Sequence, residues 1–344
     1  MIAKDQPFEL IDISAPKLGD DEAIVEVAGC GVCHTDLSFW HYGVPTRHEL
    51  PLVLGHEISG TVVDGPEENL IGKTVIIPAV MPCGECDLCK AGRGNICQKQ
   101  KMPGNDFHGG FASHVVAPAR YLAEVSDAVL ENHALTDLAV IADAVSTPYQ
   151  VMVKSEIQEG DFSIIIGVGG VGIYGAQLAK IFGGKVLALD ISQEKLDQLG
   201  QVGIDQTLNV SGMEIRDIKK AVKEKCREMG APSNQWKIFE MSGTKPGQEL
   251  AFALLGIADT LSIVGFTMDK LEVRLSNLMA FDANIIGTWG CKPELYADVL
   301  ELVAENKLVI KPFTETFPMS QINGIFQQML THQSNRRAVM VPDF

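Results

Sequence analysis

A glycine-rich turn between a strand pattern and a helix pattern is the feature that most constrains how this chain folds. The run Gly167-Val-Gly169-Gly-Val-Gly172 follows an apolar segment with strand character and opens a helical one. Such a turn brings the backbone close to a pyrophosphate and places the phosphates at a helix N-terminus. Asp190 ends the next apolar segment, where a carboxylate can accept hydrogen bonds from both hydroxyls of a ribose. The pattern therefore predicts a dinucleotide site formed by Gly167, Gly169, Gly172 and Asp190.

The charges near this turn indicate which dinucleotide binds. The carboxylate of Asp190 would repel a ribose 2′-phosphate, and the following residues, Ile191 and Ser192, offer no arginine to neutralise one. We therefore expect NAD in preference to NADP. Lys195 is a candidate contact at the adenosine end of the cofactor, although a solvated helix lysine explains it equally well.

Strand and helix patterns continue to alternate beyond the turn. This order is typical of an α/β fold with a doubly wound parallel sheet. The strand patterns cover residues 162–167, 185–190, 236–241 and 260–265, and the helix patterns cover 170–182, 194–200, 213–229 and 247–255. In the C-terminal part we expect helices at 294–306 and 320–330 and strands at 308–310 and 338–341.

The first half of the chain has a different pattern, with short alternating strands such as 23–28 and 58–63 between frequent glycines. This indicates a β-rich domain. A chain of 344 residues is also too long for one ordinary core, because domains contain about 150 residues. We expect one domain from residues 1–147 and 289–344, and a nucleotide-binding domain from 148–288, with short junctions near Thr147 and Trp289.

Four of the eight cysteines lie in one short segment, with the spacing Cys83-x2-Cys86-x2-Cys89-x7-Cys97. Four thiolates on one loop can close a tetrahedral shell around zinc and leave no open coordination position, so we expect a structural site. An iron–sulfur cluster also uses four cysteines, but this spacing differs from the common ferredoxin runs. Zinc is therefore the preferred ion.

Composition excludes several classes of partner. The net charge of −16, without a concentrated basic patch, opposes binding to nucleic acid or to an anionic membrane. No uninterrupted apolar run approaches the roughly 20 residues that a membrane span needs. Residues 1–10 include Lys4, Asp5 and Glu9 and lack the features of a signal peptide. We expect a cytoplasmic protein with a small-molecule substrate.

A second set of possible metal ligands is dispersed along the chain. Its members are Cys33, in Gly31-Val-Cys33-His34-Thr35-Asp36, then His56 and Glu57, and finally Asp143. Residues so far apart are usually unrelated, and their spacing leaves open whether they share a site.

These segments, the four-cysteine loop and the glycine turn, in this order, resemble the zinc-dependent medium-chain alcohol dehydrogenases over nearly the whole chain. The resemblance implies a GroES-like β-rich catalytic domain and a Rossmann NAD-binding domain. It also implies two zinc ions per chain, NAD as cofactor, oxidation of a secondary alcohol to a ketone, and assembly as a homodimer or homotetramer.

The resemblance also assigns roles to the dispersed ligands. Cys33 and His56 match two ligands of the catalytic zinc, and Asp143 stands where many relatives have cysteine and some have aspartate. Glu57 is an additional candidate ligand. A carboxylate in place of a thiolate keeps the formal charge but is a harder donor, so zinc should be more Lewis-acidic if Asp143 binds it.

Further residues receive supporting roles from the same resemblance. Asp36 matches the carboxylate that orients the zinc-binding histidine, and Thr35 matches the hydroxyl that contacts the substrate oxygen and begins a proton relay. Ser38 stands where some relatives have a relay histidine, and His41 is a candidate substitute. Three residues resemble cofactor contacts, and each has a structural role as its alternative: Thr147, Val264 and Arg337.

Three segments, 33–46, 78–93 and 100–105, resemble a narrower group within the family, the 6-hydroxycyclohex-1-ene-1-carbonyl-CoA dehydrogenases of anaerobic aromatic degradation. That resemblance implies an acyl-CoA substrate and its 6-oxo product. Ala79, where relatives often have a bulky residue, is compatible with a wider pocket. A dehydrogenase of a small free alcohol or polyol is the alternative, and a noncatalytic zinc- and nucleotide-binding protein is a more distant one. Candidate CoA phosphate contacts are Arg47, Lys99, Lys101 and Arg120.

Overall fold

The computed structural model describes residues 1–14, 16–331 and 335–344. Within these ranges the chain divides into two compact units. The first contains residues 1–146, 290–306 and 310–344, and the second contains 147–289 and 307–309.

The strands of the described ranges are β1 (Glu22–Gly31), β2 (Glu57–Asp64), β3 (Thr74–Ile77), β4 (His114–Pro118), β5 (Ala123–Glu124), β6 (Phe162–Ile166), β7 (Lys185–Asp190), β8 (Gln206–Asn209), β9 (Lys237–Glu240), β10 (Thr260–Ile263), β11 (Asn284–Gly287), β12 (Thr314–Pro318) and β13 (Arg337–Val341). The α-helices are α1 (His34–Trp40), α2 (Asp87–Lys90), α3 (Asp127–Leu130), α4 (Ser146–Lys154), α5 (Gly172–Ile181), α6 (Gln193–Gln198), α7 (Ile215–Glu228), α8 (Lys245–Leu254), α9 (Ser276–Phe281), α10 (Tyr296–Ala304) and α11 (Ile322–Leu330).

The first unit is built on a seven-stranded sheet in the order β12-β13-β1-β2-β3-β5, with β4 also paired to β1. All pairs except β12 with β13 are antiparallel. This is the GroES-like β-rich domain. Strand β1 alternates between buried and more exposed side chains over its first eight residues, because one face of the sheet covers a core. That core includes Val25, Ile58, Val75 and Ile77.

The second unit is a six-stranded parallel sheet in the order β11-β10-β9-β6-β7-β8. Strand β6 is buried along its whole length, as expected of a central strand covered on both faces. Chain order and spatial order reverse at β6, where parallel sheets of this type bind ligands. The doubly wound Rossmann sheet expected from the sequence is therefore confirmed.

The prediction of a strand at residues 308–310 is wrong. Leu308 and Ile310 are fully buried, but the backbone between them does not join a sheet. Instead, the side chain of Gln177 accepts a hydrogen bond from the N–H of Val309 at 2.9 Å and donates one to its carbonyl at 3.1 Å. A side-chain amide thus satisfies the backbone groups that a neighbouring strand would otherwise have bonded.

Among the helices of the described ranges, none combines the length and the apolar character needed to cross a membrane.

Candidate active site

Three neighbouring strands of the first unit bring distant residues to one end of the sheet. In the antiparallel pairing, Gly31 at the end of β1 lies opposite Glu57, the first residue of β2. Gly31 also lies opposite Val339 of β13, a strand that begins at Arg337. A Cβ atom at Gly31 would lie 2.1 Å from Oε2 of Glu57, so glycine is required for this close approach. The register therefore places Cys33, His56 and Glu57 together.

The fourth residue of the group, Asp143, reaches the same place from a different element. It follows a 3-10 helix that spans Asp137–Ala142, and its own backbone, with φ −144° and ψ −57°, leaves the helical conformation. Its Oδ2 lies 3.7 Å from Sγ of Cys33 and 3.6 Å from Nε2 of His56. One ligand atom from each of Cys33, His56, Glu57 and Asp143 falls within 4.8 Å of the others.

This group fits a zinc ion. Nε2 of His56 is buried and has no hydrogen-bond partner within the described part of the chain, although buried polar atoms are normally bonded. Sulfur, imidazole nitrogen and carboxylate oxygen are the donors that zinc prefers. Of the ligands, only Asp143 is partly exposed, with 19% of its side-chain surface accessible. A metal ion held by Cys33, His56 and Asp143 would keep a position open to a ligand on that side.

Asp36 holds the imidazole of His56 through Nδ1, the ring nitrogen opposite the candidate metal-binding Nε2. Its Oδ1 lies 3.3 Å from Nδ1 of His56 and accepts the N–H of Gly55 at 3.1 Å, while its Oδ2 accepts the N–H of Cys33 at 2.9 Å. Burial alone would lower the pKa of His56, but the charge of the Asp36 carboxylate, with Asp143 and Cys33 close by, raises it well above its ordinary value. One carboxylate thus orients two of the candidate zinc ligands, the thiol of Cys33 through its backbone and the imidazole of His56 directly.

Arg337 forms an ion pair with the carboxylate of Glu57. Its Nε donates to Oε2 at 3.0 Å and its Nη2 donates to Oε1, and both side chains are buried. Burial would lower the pKa of Arg337, but the Glu57 carboxylate raises it well above its ordinary value. The structure therefore commits Glu57 to an ion pair and commits two of the guanidinium nitrogens of Arg337 to the same pair.

The hydroxyls near the site differ in their surroundings. Oγ1 of Thr35 lies 3.7 Å from Sγ of Cys33, one of the candidate metal ligands. Ser38 is buried and donates to the carbonyl of His34 at 3.0 Å, one turn back in helix α1. Nδ1 of His41 lies 2.5 Å from Oδ1 of Asp5, so this partly exposed histidine is paired with an acid. Among these three contacts, only that of Thr35 is made with a candidate zinc ligand.

The four cysteines of the loop form a compact group. Sγ–Sγ distances are 3.4 Å for Cys86–Cys89, 3.5 Å for Cys83–Cys97 and 3.7 Å for Cys86–Cys97. Backbone hydrogen bonds from Glu85 and Cys86 lower the pKa of Cys83 to about 6, whereas burial and a hydrogen bond with Cys86 raise the pKa of Cys89 to about 12. Four sulfur atoms this close fit a tetrahedral zinc–thiolate site.

The glycine turn in the second unit has the geometry of a phosphate site. Gly167 has a φ of +85°, and a Cβ atom at Gly172 would lie 1.8 Å from the carbonyl oxygen of Gly167, so both positions require glycine. At Gly169, in contrast, a Cβ would meet nothing within 4 Å, which leaves room for a phosphate against the backbone. Oδ2 of Asp190 accepts the N–H of Val168 at 2.8 Å. The acid thus lies directly beside the turn.

The remaining expected cofactor contacts lie in or next to elements of the second unit. Thr147 is in helix α4, Val264 follows β10, and Lys195 is in α6, where its backbone N–H donates to Oγ of Ser192 at 3.4 Å. All three are half-buried.

Sequence reasoning missed Glu240, the last residue of β9. This fully buried carboxylate accepts the N–H groups of Ser242 and Gly243 at 2.8 and 3.1 Å, and burial raises its pKa. Glu240 therefore shapes the turn next to Gly167, since a Cβ at Gly167 would lie 2.6 Å from Cα of Ser242. The signal available in the sequence was a charged residue ending an apolar strand before Ser-Gly.

Three of the basic residues considered for CoA phosphates lie beside carboxylates. Arg47 lies 3.1 Å from Asp106, Lys99 lies 3.6 Å from Glu85, and Arg120 lies 2.8 Å from Asp21. Each positive charge is at least partly neutralised within the chain.

Comparison with known families matches two models to the chain. The alcohol dehydrogenase GroES-like domain matches residues 19–127, and the zinc-binding dehydrogenase model matches residues 170–305. Among curated proteins, an alcohol dehydrogenase of Geobacillus stearothermophilus is 30% identical over 337 residues, which cover 97% of this chain and 95% of that protein.

Solved structures show the same similarity. The alcohol dehydrogenase of Aeropyrum pernix has a TM-score of 0.87 at 26% identity and covers 99% of this chain and 98% of its own. Acetophenone reductase from Geotrichum candidum, solved in complex with NAD, has a TM-score of 0.82 at 26% identity and covers 95% of this chain and 91% of its own. Both similarities extend over nearly the whole of the chain.

Proposed function

Since the chain belongs to the zinc-dependent medium-chain alcohol dehydrogenases, oxidoreductases that act on CH–OH groups, we propose that it oxidises a secondary alcohol to a ketone with NAD. We propose Cys33, His56 and Asp143 as the ligands of the catalytic zinc. The observation that supports this most is the buried, unbonded Nε2 of His56, which lies 3.6 Å from the carboxylate of Asp143.

The catalytic steps are assigned to the chain's own groups. A zinc ion at this site supplies a Lewis acid that lowers the pKa of the alcohol oxygen. NAD bound by the second unit would supply the two-electron acceptor for the hydride of the alcohol. Thr35 would accept the alcohol proton at Oγ1 and give up its own hydroxyl proton to water. Asp36 keeps the imidazole of His56 in the ligating orientation.

We propose Glu57 as an additional ligand that could bind the metal at the same site. Its two oxygens are held by Arg337, so it would bind the metal only by giving up part of a buried ion pair. We also propose Arg337 as a cofactor contact. Because Nε and Nη2 of Arg337 donate to Glu57, only its remaining N–H groups could bind the cofactor.

For the cofactor we propose a site on the second unit, with residues 148–288 as the NAD-binding domain and residues 1–147 and 289–344 as the catalytic domain. Gly167, Gly169 and Gly172 form the phosphate turn, and Asp190 accepts the ribose hydroxyls. Lys195, Thr147 and Val264 are proposed as further contacts. The NAD-bound reductase that the chain resembles supports this choice of cofactor.

We propose that Cys83, Cys86, Cys89 and Cys97 hold a second, structural zinc. Their compact arrangement supports it. With four thiolates the site has no open position for a substrate, so its contribution is to the stability of the loop.

For the substrate we propose a cyclic secondary alcohol carried on an acyl-CoA, 6-hydroxycyclohex-1-ene-1-carbonyl-CoA, oxidised to its 6-oxo product in anaerobic aromatic degradation. The segments 33–46, 78–93 and 100–105 support this through their resemblance to that group. The N–H of Ala79 donates at 3.3 Å to the carbonyl of Ala142, next to Asp143, so a small side chain lies beside the proposed site, which is compatible with a wider pocket.

A small free alcohol or polyol is the second candidate. The acidic partners of Arg47, Lys99 and Arg120 favour it, because basic residues that are already paired have less charge to offer CoA phosphates. The curated relative named as an alcohol dehydrogenase also supports it.

Steady-state NADH formation distinguishes the two substrates. The purified enzyme is assayed with the cyclic hydroxyacyl-CoA, with the corresponding free hydroxy acid and with simple secondary alcohols and polyols. We expect the highest kcat/KM for the acyl-CoA. A kcat/KM for a free alcohol or polyol equal to or above that for the thioester would overturn the acyl-CoA proposal.

Metal analysis tests the catalytic site itself. We expect two zinc ions per chain in the wild type and one in D143A, with the remaining ion in the four-cysteine loop. The matched variant C86S should lose the zinc of the four-cysteine loop and keep the zinc of the catalytic site. One zinc per wild-type chain, confined to the loop, would instead support a noncatalytic zinc- and nucleotide-binding protein.

We also propose a homodimer or homotetramer. Strand β11 is an edge strand of the parallel sheet, and helix α9 beside it in the chain exposes Met279, with 78% of its surface accessible. Exposed apolar groups next to an open sheet edge are typical of an interface. Sedimentation velocity tests this proposal, and a monomer at micromolar concentration would exclude it.

A further inference from the structure

A buried tyrosine hydroxyl is bonded to the residue that precedes the Asp143 ligand. Tyr296, the first residue of helix α10, is fully buried, and its hydroxyl donates to the carbonyl oxygen of Ala142 at 2.5 Å. These two residues are 154 positions apart in the chain. The bond therefore ties the C-terminal part of the first unit to the segment that carries Asp143.

The carbonyl of Ala142 has more donors than it needs. Besides Tyr296, the N–H of Ala79 donates to it at 3.3 Å and the hydroxyl of Ser146 lies 3.2 Å from it. The same Ser146 hydroxyl lies 3.2 Å from the hydroxyl of Tyr296. One donor would satisfy a buried carbonyl at the end of a 3-10 helix. The need of the Ala142 carbonyl for a hydrogen bond therefore does not by itself explain why residue 296 is a tyrosine.

The surroundings of Tyr296 make its hydroxyl a costly group to bury. Burial, together with nearby Cys291, raises the pKa of Tyr296 well above its ordinary value, so the phenol stays protonated and remains a donor. A phenylalanine would fill nearly the same volume without a buried polar atom. The hydroxyl is therefore best explained by the bond it makes.

That bond acts on the orientation of a peptide plane. Asp143 directly follows Ala142, and its backbone turns out of the helical conformation at that point. Rotation of the preceding peptide would swing the carboxylate of Asp143, whose Oδ2 lies within 3.7 Å of both Cys33 Sγ and His56 Nε2. Metal sites depend on ligand placement to within about 0.5 Å, which supporting hydrogen bonds provide.

We propose that Tyr296 is a positioning residue which, through the carbonyl of Ala142 and with Ser146, holds the carboxylate of Asp143 in the geometry that binds the catalytic zinc. The inference rests on the proposed function, in which Asp143 is a zinc ligand.

A second tyrosine in the same unit provides a matched control. The hydroxyl of Tyr121 donates at 2.6 Å to the carbonyl of Pro82, the residue directly before Cys83. Each of the two tyrosines therefore anchors the carbonyl that precedes a candidate ligand, one at each metal site. Y296F and Y121F remove the same kind of bond from different sites.

The test measures metal binding on the full-length enzyme. Zinc release to a chromogenic chelator is followed for the wild type, Y296F, S146A and Y121F, and the visible absorption of cobalt(II) at the catalytic site is recorded in parallel. We expect Y296F to accelerate release from the catalytic site by about tenfold and to shift the cobalt spectrum, because loss of an orienting partner costs about 10- to 100-fold in metal affinity. S146A should have a smaller effect in the same direction, and Y121F should affect only release from the cysteine loop.

Thermal unfolding separates this effect from general destabilisation. Y296F keeps the Ala79 bond to the carbonyl, so we expect it to fold with a Tm close to that of Y121F. Unchanged zinc release and an unchanged cobalt spectrum in folded Y296F would overturn the positioning role. A wild-type chain that binds zinc only at the cysteine loop would overturn the proposed function, and this inference with it.

Discussion

Arg337 donates through Nε and Nη2 to the two carboxylate oxygens of Glu57, and the pair is buried where strands β13 and β2 begin. Two ions taken out of water in this way depend on each other. The pair lies against the proposed zinc ligands, since Glu57 directly follows His56. Its integrity therefore bears on both the stability and the chemistry of the site.

R337M should lower the free energy of unfolding by about 3–5 kcal/mol, because it leaves the Glu57 carboxylate buried without a compensating charge. Denaturant unfolding measures the loss. The double variant E57Q/R337M should recover part of it, since both charges are then gone. A single variant within about 1 kcal/mol of the wild type would contradict the buried ion pair.

D36N should weaken zinc binding at the catalytic site by about 10- to 100-fold, because a neutral amide would hold the imidazole of His56 less firmly than the Asp36 carboxylate does. Competition with a chelator of known affinity measures the change. The zinc of the four-cysteine loop is the internal control and should be unaffected. Equal zinc affinity in D36N and the wild type would exclude the orienting role of Asp36.

The pKa of His56 gives a prediction for the metal-free enzyme. Because the pKa of His56 is raised, the folded state binds this proton more tightly than the unfolded chain does. Histidines of an unfolded chain titrate at about pH 6.5. The resulting stabilisation is fully present below about pH 6.5 and is lost as the pH rises through the folded pKa. Zinc must displace that proton, so zinc binding weakens as the pH falls.

NMR titration of the imidazole protons tests this shift. We expect His56 of the metal-free wild type to titrate above the ordinary range and His108, whose pKa is lowered by burial and by nearby His48, to titrate below it. D36N should move the His56 titration to lower pH, since Asp36 is the largest cause that raises it. The shift of His56 is disproved if it titrates together with exposed histidines.

D190N should raise the ratio of kcat/KM for NADP to that for NAD by about tenfold or more, because the charge that repels a 2′-phosphate is removed and a charged acceptor for the ribose is lost. Initial rates with both cofactors measure the ratio. D197N is the control, since Asp197 is an exposed helix residue bonded to Gln193. An unchanged ratio in D190N would remove Asp190 from the cofactor site.

Much of the nucleotide-binding fold could be predicted because its signals are local. Strand β7, Lys185–Asp190, matches the expected bounds, and helices α5 and α7 differ from theirs by only one or two residues at each end. Long periodic segments bury one face regardless of their neighbours. The expected strand at 308–310 failed because a distant side chain, Gln177, supplies the backbone bonds, and a local pattern carries no information about it.

The candidate site divides in the same way. The cysteine spacing and the glycine turn are short-range arrangements, whose ligands or backbone groups are close because few bonds separate them. The dispersed ligands are different, since residues alone left their shared site open. Their convergence depends on the pairing of Gly31 with Glu57 and on the end of a 3-10 helix at Ala142.

By itself the sequence determined what nearby residues can do together: a glycine turn that admits phosphates, four thiols spaced for one metal ion, and the alternation that forms a parallel sheet. Only the tertiary structure decided that Arg337 pairs with Glu57 and that Tyr296 bonds to Ala142, across 280 and 154 positions. The physical reason is that such contacts depend on sheet register and packing, which many residues determine jointly and no single segment encodes.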